Sequence, residues 1–151
     1  MDQINLYSST IKEIKDDIFN KTMHKNFKNL SNGLYQNNVS YEKRCLDSQR
    51  ICAKYPYHVP VIVNCLDKGI KLKKIKYLIP KDIECYKLLV TIRSQLELDP
   101  AKAIFIFIDD TLFDQSAIIG TVYENYKIKN NIKSNGDLYL YVSVTGENTF
   151  G

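Results

Sequence analysis

A chain of 151 residues with 44% apolar and 25% charged side chains has the size and composition of one globular domain with a proper core. Its net charge of +4 suits contact with an anionic surface and is far from a nucleic-acid-binding signature. No apolar run is long enough for a signal peptide or a membrane span. Four scattered cysteines and two histidines form no metal-binding pattern, so the cysteines read as reduced packing residues of a cytosolic protein and no cofactor is expected.

Residues 1–9 read as frayed. Thr10 and Glu13 fit a capping box, and Ile11, Ile14, Ile18 and Phe19 follow at helical spacing, with Met23, Phe27 and Leu30 loosely continuing the stripe. A helix from about 10 to 28 is expected, with docking on the domain preferred over a membrane-facing or partner-facing helix. Ser31-Asn32-Gly33 ends it, and Gln36-Asn37-Asn38 reads as loop. Ser40 reads as the N-cap of a second helix, about 41 to 53, with Tyr41, Cys45 and Cys52 on one face. Pro56 stops it, because the residue before a proline avoids the α region.

Pro60-Val61-Ile62-Val63 opens an apolar strand and Asp67-Lys68-Gly69 a turn. Residues 74–79 alternate charged with apolar side chains and read as a half-exposed strand halted by Pro80, closing a hairpin. Asp82 reads as the cap of a helix carrying Tyr86, Leu89, Val90 and Arg93 and ending near Leu98-Asp99-Pro100. Residues 103–108 read as a buried strand and Asp109-Asp110 as a turn. Ser116 reads as the cap of a helix with the stripe Ile118, Ile119, Val122, Tyr123 and Tyr126. Residues 127–137 read as a polar loop turning at Ser134-Asn135-Gly136.

Residues 138–145 are mostly β-branched, leucine or tyrosine with neither face consistently polar, the composition of a central strand. After Thr145 the apolar run stops. Gly146, Asn148 and Gly151 favour neither strand nor helix, so residues 146–151 read as a flexible tail ending on an unhindered glycine carboxyl. The chain thus divides into an N-terminal extension with a helix (1–39), a domain with its preceding helix (40–145) and the tail. From residue 57 onward the order is two strands, helix, strand, helix, strand, the parts of a β-grasp.

Five stretches carry a resemblance. They are Tyr41-Glu42-Lys43-Arg44, Pro60-Val61-Ile62-Val63, Lys76-Tyr77-Leu78-Ile79-Pro80, Lys102-Ala103-Ile104-Phe105-Ile106-Phe107 and the tail Gly146-Glu147-Asn148-Thr149-Phe150-Gly151. From about residue 40 to 151 the chain resembles the ubiquitin-like autophagy modifiers of the GABARAP type, which become attached to phosphatidylethanolamine. The implied fold class is α+β, a ubiquitin-like β-grasp with two additional N-terminal helices. The chain departs from the family in a longer segment 1–38 and a longer loop 127–137. It also departs in His58 and Gln95, where arginines are common, and in Thr91, where the family is usually apolar. Many members carry residues beyond the terminal glycine, which a cysteine protease removes; here Gly151 is last.

The resemblance implies that Gly151 is conjugated to the lipid by E1-like and E2-like enzymes, which hold all the catalytic residues, so this chain is no enzyme. It implies a groove at the β-strand edge Lys76-Tyr77-Leu78 that takes cargo-receptor peptides of the form aromatic-x-x-aliphatic. A first pocket would use Asp47, Ile51, Pro60, Ile62, Lys76, Leu78 and Tyr139, and a second Tyr77, Ile79, Pro80, Ile83, Leu88 and Thr91. The implied location is the cytoplasm, then an autophagosome-type membrane once lipidated. A modifier of protein lysines and an unconjugated peptide-binding adaptor are the competing readings, since the same tail or groove serves them. Asp109-Asp110, His24 and His58 read as surface or isolated residues without ligand partners.

Overall fold

The computed structural model describes residues 34–67, 70–96 and 103–146. The expected helix 10–28 and the residues beyond Gly146 lie outside them. In chain order the described elements are α1 (Tyr35–Asn38), α2 (Tyr41–Lys54), β1 (His58–Cys65), β2 (Lys76–Pro80), α3 (Cys85–Ser94), β3 (Ile104–Ile108), β4 (Thr111–Leu112), α4 (Ile119–Lys129) and β5 (Leu140–Gly146). Among the described residues these strands form one mixed sheet in the order β2-β1-β5-β3-β4. β1 runs antiparallel to β2 and parallel to β5, and β3 runs antiparallel to β5 and to β4. The last strand is therefore the centre of the sheet, as its two-sided apolar composition requires, and the whole is a ubiquitin-like β-grasp.

Ser40 caps α2 as expected: its Oγ accepts from the Lys43 N–H at 3.2 Å. The buried face of α2 is Cys45, Ser48 and Ile51, whereas Tyr41 is 60% exposed and Cys52 only half-buried. The stretch expected as loop is instead the one-turn helix α1. Its Tyr35 N–H donates to Asn64 Oδ1 at 2.9 Å, and Asn64 Nδ2 in turn donates to Gln36 Oε1 at 2.9 Å. An asparagine on β1 thus holds this turn onto the sheet. At the other hairpin Asp109 and Asp110 have φ of 50° and 65°, the two-residue turn that matches strand twist and that aspartate tolerates better than most residues.

Two helix starts differ from expectation. Asp82 does not cap α3, which begins after Glu84 without a side-chain cap, and Ser116 does not cap α4, which begins after Ile118 without one. Ser116 instead donates its N–H and Oγ–H to Asp114 Oδ1. The free N–H groups of both helices are met by main chain from the other's approach. Cys85 and Tyr86 donate to the carbonyls of Ala117 and Gln115, and Ile119 and Gly120 to those of Ile83 and Lys81. α3 also ends at Ser94, earlier than expected, and buries Cys85, Leu88 and Ile92 while Tyr86 and Val90 are exposed.

This crossing brings Gly120 against Lys81. A Cβ on Gly120 would lie 2.6 Å from the Lys81 carbonyl oxygen. Gly120→Ala is expected to destabilise by about 1–3 kcal/mol, the range for forcing a methyl into packed structure, with a lower melting temperature as the readout. An unchanged melting temperature would show that the two helix starts are not locked together.

Candidate functional site: the β2 edge and its floor

β2 is an edge strand with β1 as its partner among the described residues. The Val63 N–H bonds the Ile75 carbonyl at 2.7 Å, which sets the phase of the ladder. In an antiparallel pair the exchanging positions alternate, so Val61 with Tyr77 and Val59 with Ile79 bond each other. Pro60, which has no N–H, falls opposite Leu78 at a non-bonding position. The N–H and C=O groups of Lys76 and Leu78 consequently point away from β1, along the edge that carries no other strand among the described residues.

The side chains differ from the half-exposed strand expected. All five residues of β2 are buried. Both faces of this edge are covered, one by α1 and α2 and the other by the core that includes Leu88 and Ile92. Among the described residues the edge is open in its hydrogen bonds and closed in its side chains.

The first expected set comes together. Pro60 and Ile62 face Leu78 and Lys76 across the β1–β2 ladder, so the four share one face. Tyr139, two residues from Tyr141 that pairs with Ile62, extends that face, and α2 supplies Asp47 and Ile51. Lys76 is the anomaly. Its residue is 7% exposed and its Nζ has no hydrogen-bond acceptor among the described residues. The ammonium lies 4.9 Å from the Tyr35 ring centre and 5.4 Å from that of Tyr139, a two-sided cation–π cradle. Burial pushes its pKa down to about 7, against the raising influence of Asp47 and with Lys43 and Arg50 lowering it further.

The second expected set does not form one face. Tyr77, Ile79 and Leu88 are core residues at 3%, 3% and 1% exposure. Pro80 lies with Lys76 and Leu78 by strand alternation. Ile83 and Thr91 are partly accessible, and Thr91 Oγ1 donates to the Lys87 carbonyl at 2.7 Å.

Sequence reading missed what holds Tyr139 in place. Three residues of α2, Arg44, Ser48 and Gln49, grip three consecutive residues at the entry to β5. Gln49 Nε2 donates to the Gly136 carbonyl at 2.9 Å, Arg44 Nη1 to Asp137 Oδ2 at 2.8 Å, and the Leu138 N–H to Ser48 Oγ at 2.8 Å. Tyr141 Oη donates to the same Asp137 oxygen, and the Tyr139 N–H to Asp137 Oδ1 at 3.1 Å. Arg44 also donates through Nε to the Val39 carbonyl at 3.1 Å. The only sequence signal was the spacing of Arg44 and Ser48, one turn apart on a helix. Beside this junction a polar cleft of about 380 Å³ opens between Tyr41, Arg44, Tyr126 and the loop 131–137.

Among the described residues no group of acidic, histidine or cysteine side chains could hold a metal, and no helix is long and apolar enough to cross a membrane.

Comparison with known proteins agrees with this architecture. Residues 43–151 match the family model "Autophagy protein Atg8 ubiquitin like". The chain is 41% identical over 119 residues to Autophagy-related protein 8 of Schizosaccharomyces pombe, covering 78% of this chain and 93% of that one. It is 40% identical over 119 residues to the protein of the same name from Mycosarcoma maydis, covering 78% and 95%. The crystal structure of Trypanosoma brucei ATG8 superposes with a TM-score of 0.63 at 25% identity, covering 75% of this chain and 93% of that one. With its central last strand, the two helices that precede its sheet and a match that runs through Gly151, the chain belongs to the Atg8 family of ubiquitin-like autophagy proteins.

Proposed function

We propose that this chain is a ubiquitin-like modifier joined through the Gly151 carboxyl to phosphatidylethanolamine, acting as a membrane tag and peptide adaptor in autophagosome formation. The observation that carries the reading is that the family match includes the C-terminal Gly151, five residues beyond the end of the central strand β5 at Gly146. A carboxylate is a poor electrophile. An E1-like enzyme would condense it with ATP to an adenylate and pyrophosphate; an enzyme thiol would displace AMP to give a thioester. On an E2-like enzyme the lipid amine would then attack the thioester carbonyl, forming an amide and releasing the thiol. The conjugate gains two acyl chains, each contributing about 0.8 kcal/mol per buried methylene, enough for stable anchoring where one chain is marginal. The β2 edge is the peptide-binding groove of the adaptor: the outward main-chain groups of Lys76 and Leu78 take an added strand, and Asp47, Ile51, Pro60, Ile62, Leu78 and Tyr139 wall its first pocket. Ile83 and Thr91 offer the accessible part of the second.

Incubation with E1-like and E2-like enzymes of the family, ATP and phosphatidylethanolamine liposomes tests it. Wild type is expected to float with the liposomes and gain the mass of the lipid less one water. Deleting Gly151 should abolish both and leave the melting temperature unchanged. Attachment to enzyme or bystander lysines, with no lipid adduct, would replace this reading with a modifier of proteins.

A further inference from the structure

The end of the central strand is held by a side chain. β1 and β5 run parallel with Cys65 opposite Val144, and the ladder goes one step further as the Leu66 N–H donates to the Val144 carbonyl at 2.9 Å. A continued ladder would give the Gly146 N–H to the Leu66 carbonyl. The chain turns away instead. The Asp67 carbonyl accepts from the Ile70 N–H at 3.1 Å, and the Cys65 thiol is shared between the Asp67 carbonyl at 3.2 Å and the Ile70 carbonyl at 3.3 Å. This turn presents the Asp67 carboxylate, and Asp67 Oδ2 accepts from the Gly146 N–H at 3.2 Å, across 79 positions of sequence.

The bond fixes the last residue of β5. The N–H and C=O of one strand residue point to the same side of the strand. With its N–H turned toward Asp67, Gly146 stands opposite Ile104 of β3 at a non-bonding position. The fit is close: a Cβ on Gly146 would lie 2.7 Å from Asp67 Oδ2 and 3.1 Å from Ile70 Cδ1. Gly146 does not have a positive φ, so this contact, and not the backbone conformation, is what requires a glycine.

We propose that Asp67 is a positioning residue for conjugation: by holding Gly146 it sets the direction in which the chain leaves the sheet toward the Gly151 carboxyl. The inference rests on the modifier reading above. An activating enzyme must order the root of a tail that is free to swing, and the backbone entropy of one residue corresponds to about fivefold in affinity or more. A root already held avoids that cost. The saving is the same in the bound complex and in the transition state, so it belongs to KM and not to kcat.

The test follows thioester formation on an E1-like enzyme of the family with ATP, at varied concentrations of the full chain and below the melting transition of every variant. Asp67→Ala should raise the KM for the chain about fivefold with kcat unchanged. Asp67→Asn keeps an oxygen acceptor in place and should stay within about twofold of wild type. Gly146→Ala pushes the carboxylate off the N–H and should match Asp67→Ala. The two substitutions together should be no worse than either alone, because both break one contact. Equal KM for wild type and Asp67→Ala overturns the inference, and a lower melting temperature with that result leaves Asp67 a structural cap. A rise in KM that Asp67→Asn shares in full, or effects of Asp67→Ala and Gly146→Ala that add, also overturn it. In all these cases wild type still forms the thioester and the modifier reading stands; no thioester from wild type removes both.

Discussion

Asp137→Ala is expected to destabilise the protein by about 3–5 kcal/mol, the range for removing one partner of a buried ion pair. The Arg44 and Asp137 side chains are 14% and 9% exposed, so water does little to screen the loss. The variant would leave the Arg44 guanidinium facing only the Val39 carbonyl and the neutral Tyr141 hydroxyl in place of a carboxylate, and would strand the Tyr139 N–H. For a chain of this size the melting temperature should fall by roughly 10 °C. Arg44→Met combined with Asp137→Leu should recover much of the loss, because two apolar side chains leave no unpaired charge. A double variant as unstable as Asp137→Ala would place the cost in the shape of the junction and not in its charge. Peptide affinity should fall along with stability in Asp137→Ala, because the same carboxylate positions Tyr139 on the proposed groove wall.

Lys76→Met should move stability the other way. The ammonium is buried without an acceptor among the described residues, and the rings of Tyr35 and Tyr139 return only part of its lost hydration. At pH 6 a gain of about 1–3 kcal/mol is expected, since apolar replacement of a buried charge is often stabilising. The pH dependence follows from the lowered pKa, about 7 in the fold against an ordinary 10.5. Below pH 7 both folded and unfolded chains bind the proton, and the full cost of burying the charge is present. Between pH 7 and 10.5 the unfolded chain holds a proton that the folded chain has released, so wild type gains stability as pH rises. The advantage of Lys76→Met should therefore be largest at and below pH 7 and shrink steadily toward pH 9.5. Melting both proteins across that range is the measurement. A gap that stays constant with pH would mean that Lys76 keeps its charge throughout.

Lys76 also marks the boundary of what sequence reading reaches. Its neighbours in the strand alternate charged and apolar residues, which normally places the charges in water. That pattern reports only one strand. The Lys76 side is covered because Tyr35, forty-one positions earlier in the chain, is fastened onto Asn64 and lies over it. The helix starts teach the same lesson. Ser40 was legible because a side-chain cap acts within three residues of itself, and Ser40 makes that bond. Asp82 and Ser116 look equally suited, yet the N–H groups they were expected to serve are met by carbonyls from segments 29 to 39 residues away.

What the sequence by itself determined is therefore the local and the compositional: the strands, the Asp109-Asp110 turn, the capped start of α2 and the central place of the last strand. Five of its stretches also carried the family, and Pro60, Ile62, Lys76 and Leu78, expected together, do share one face of the β1–β2 ladder. Only the tertiary structure decided that β2 is buried on both faces, that Tyr77, Ile79 and Leu88 belong to the core, and that Arg44 and Asp137 join α2 to the entry of β5. Short-range signals depend on hydrogen bonds and periodicities within a few residues, whereas burial and ion pairing depend on which distant segment covers a given face. No spacing along the chain encodes that.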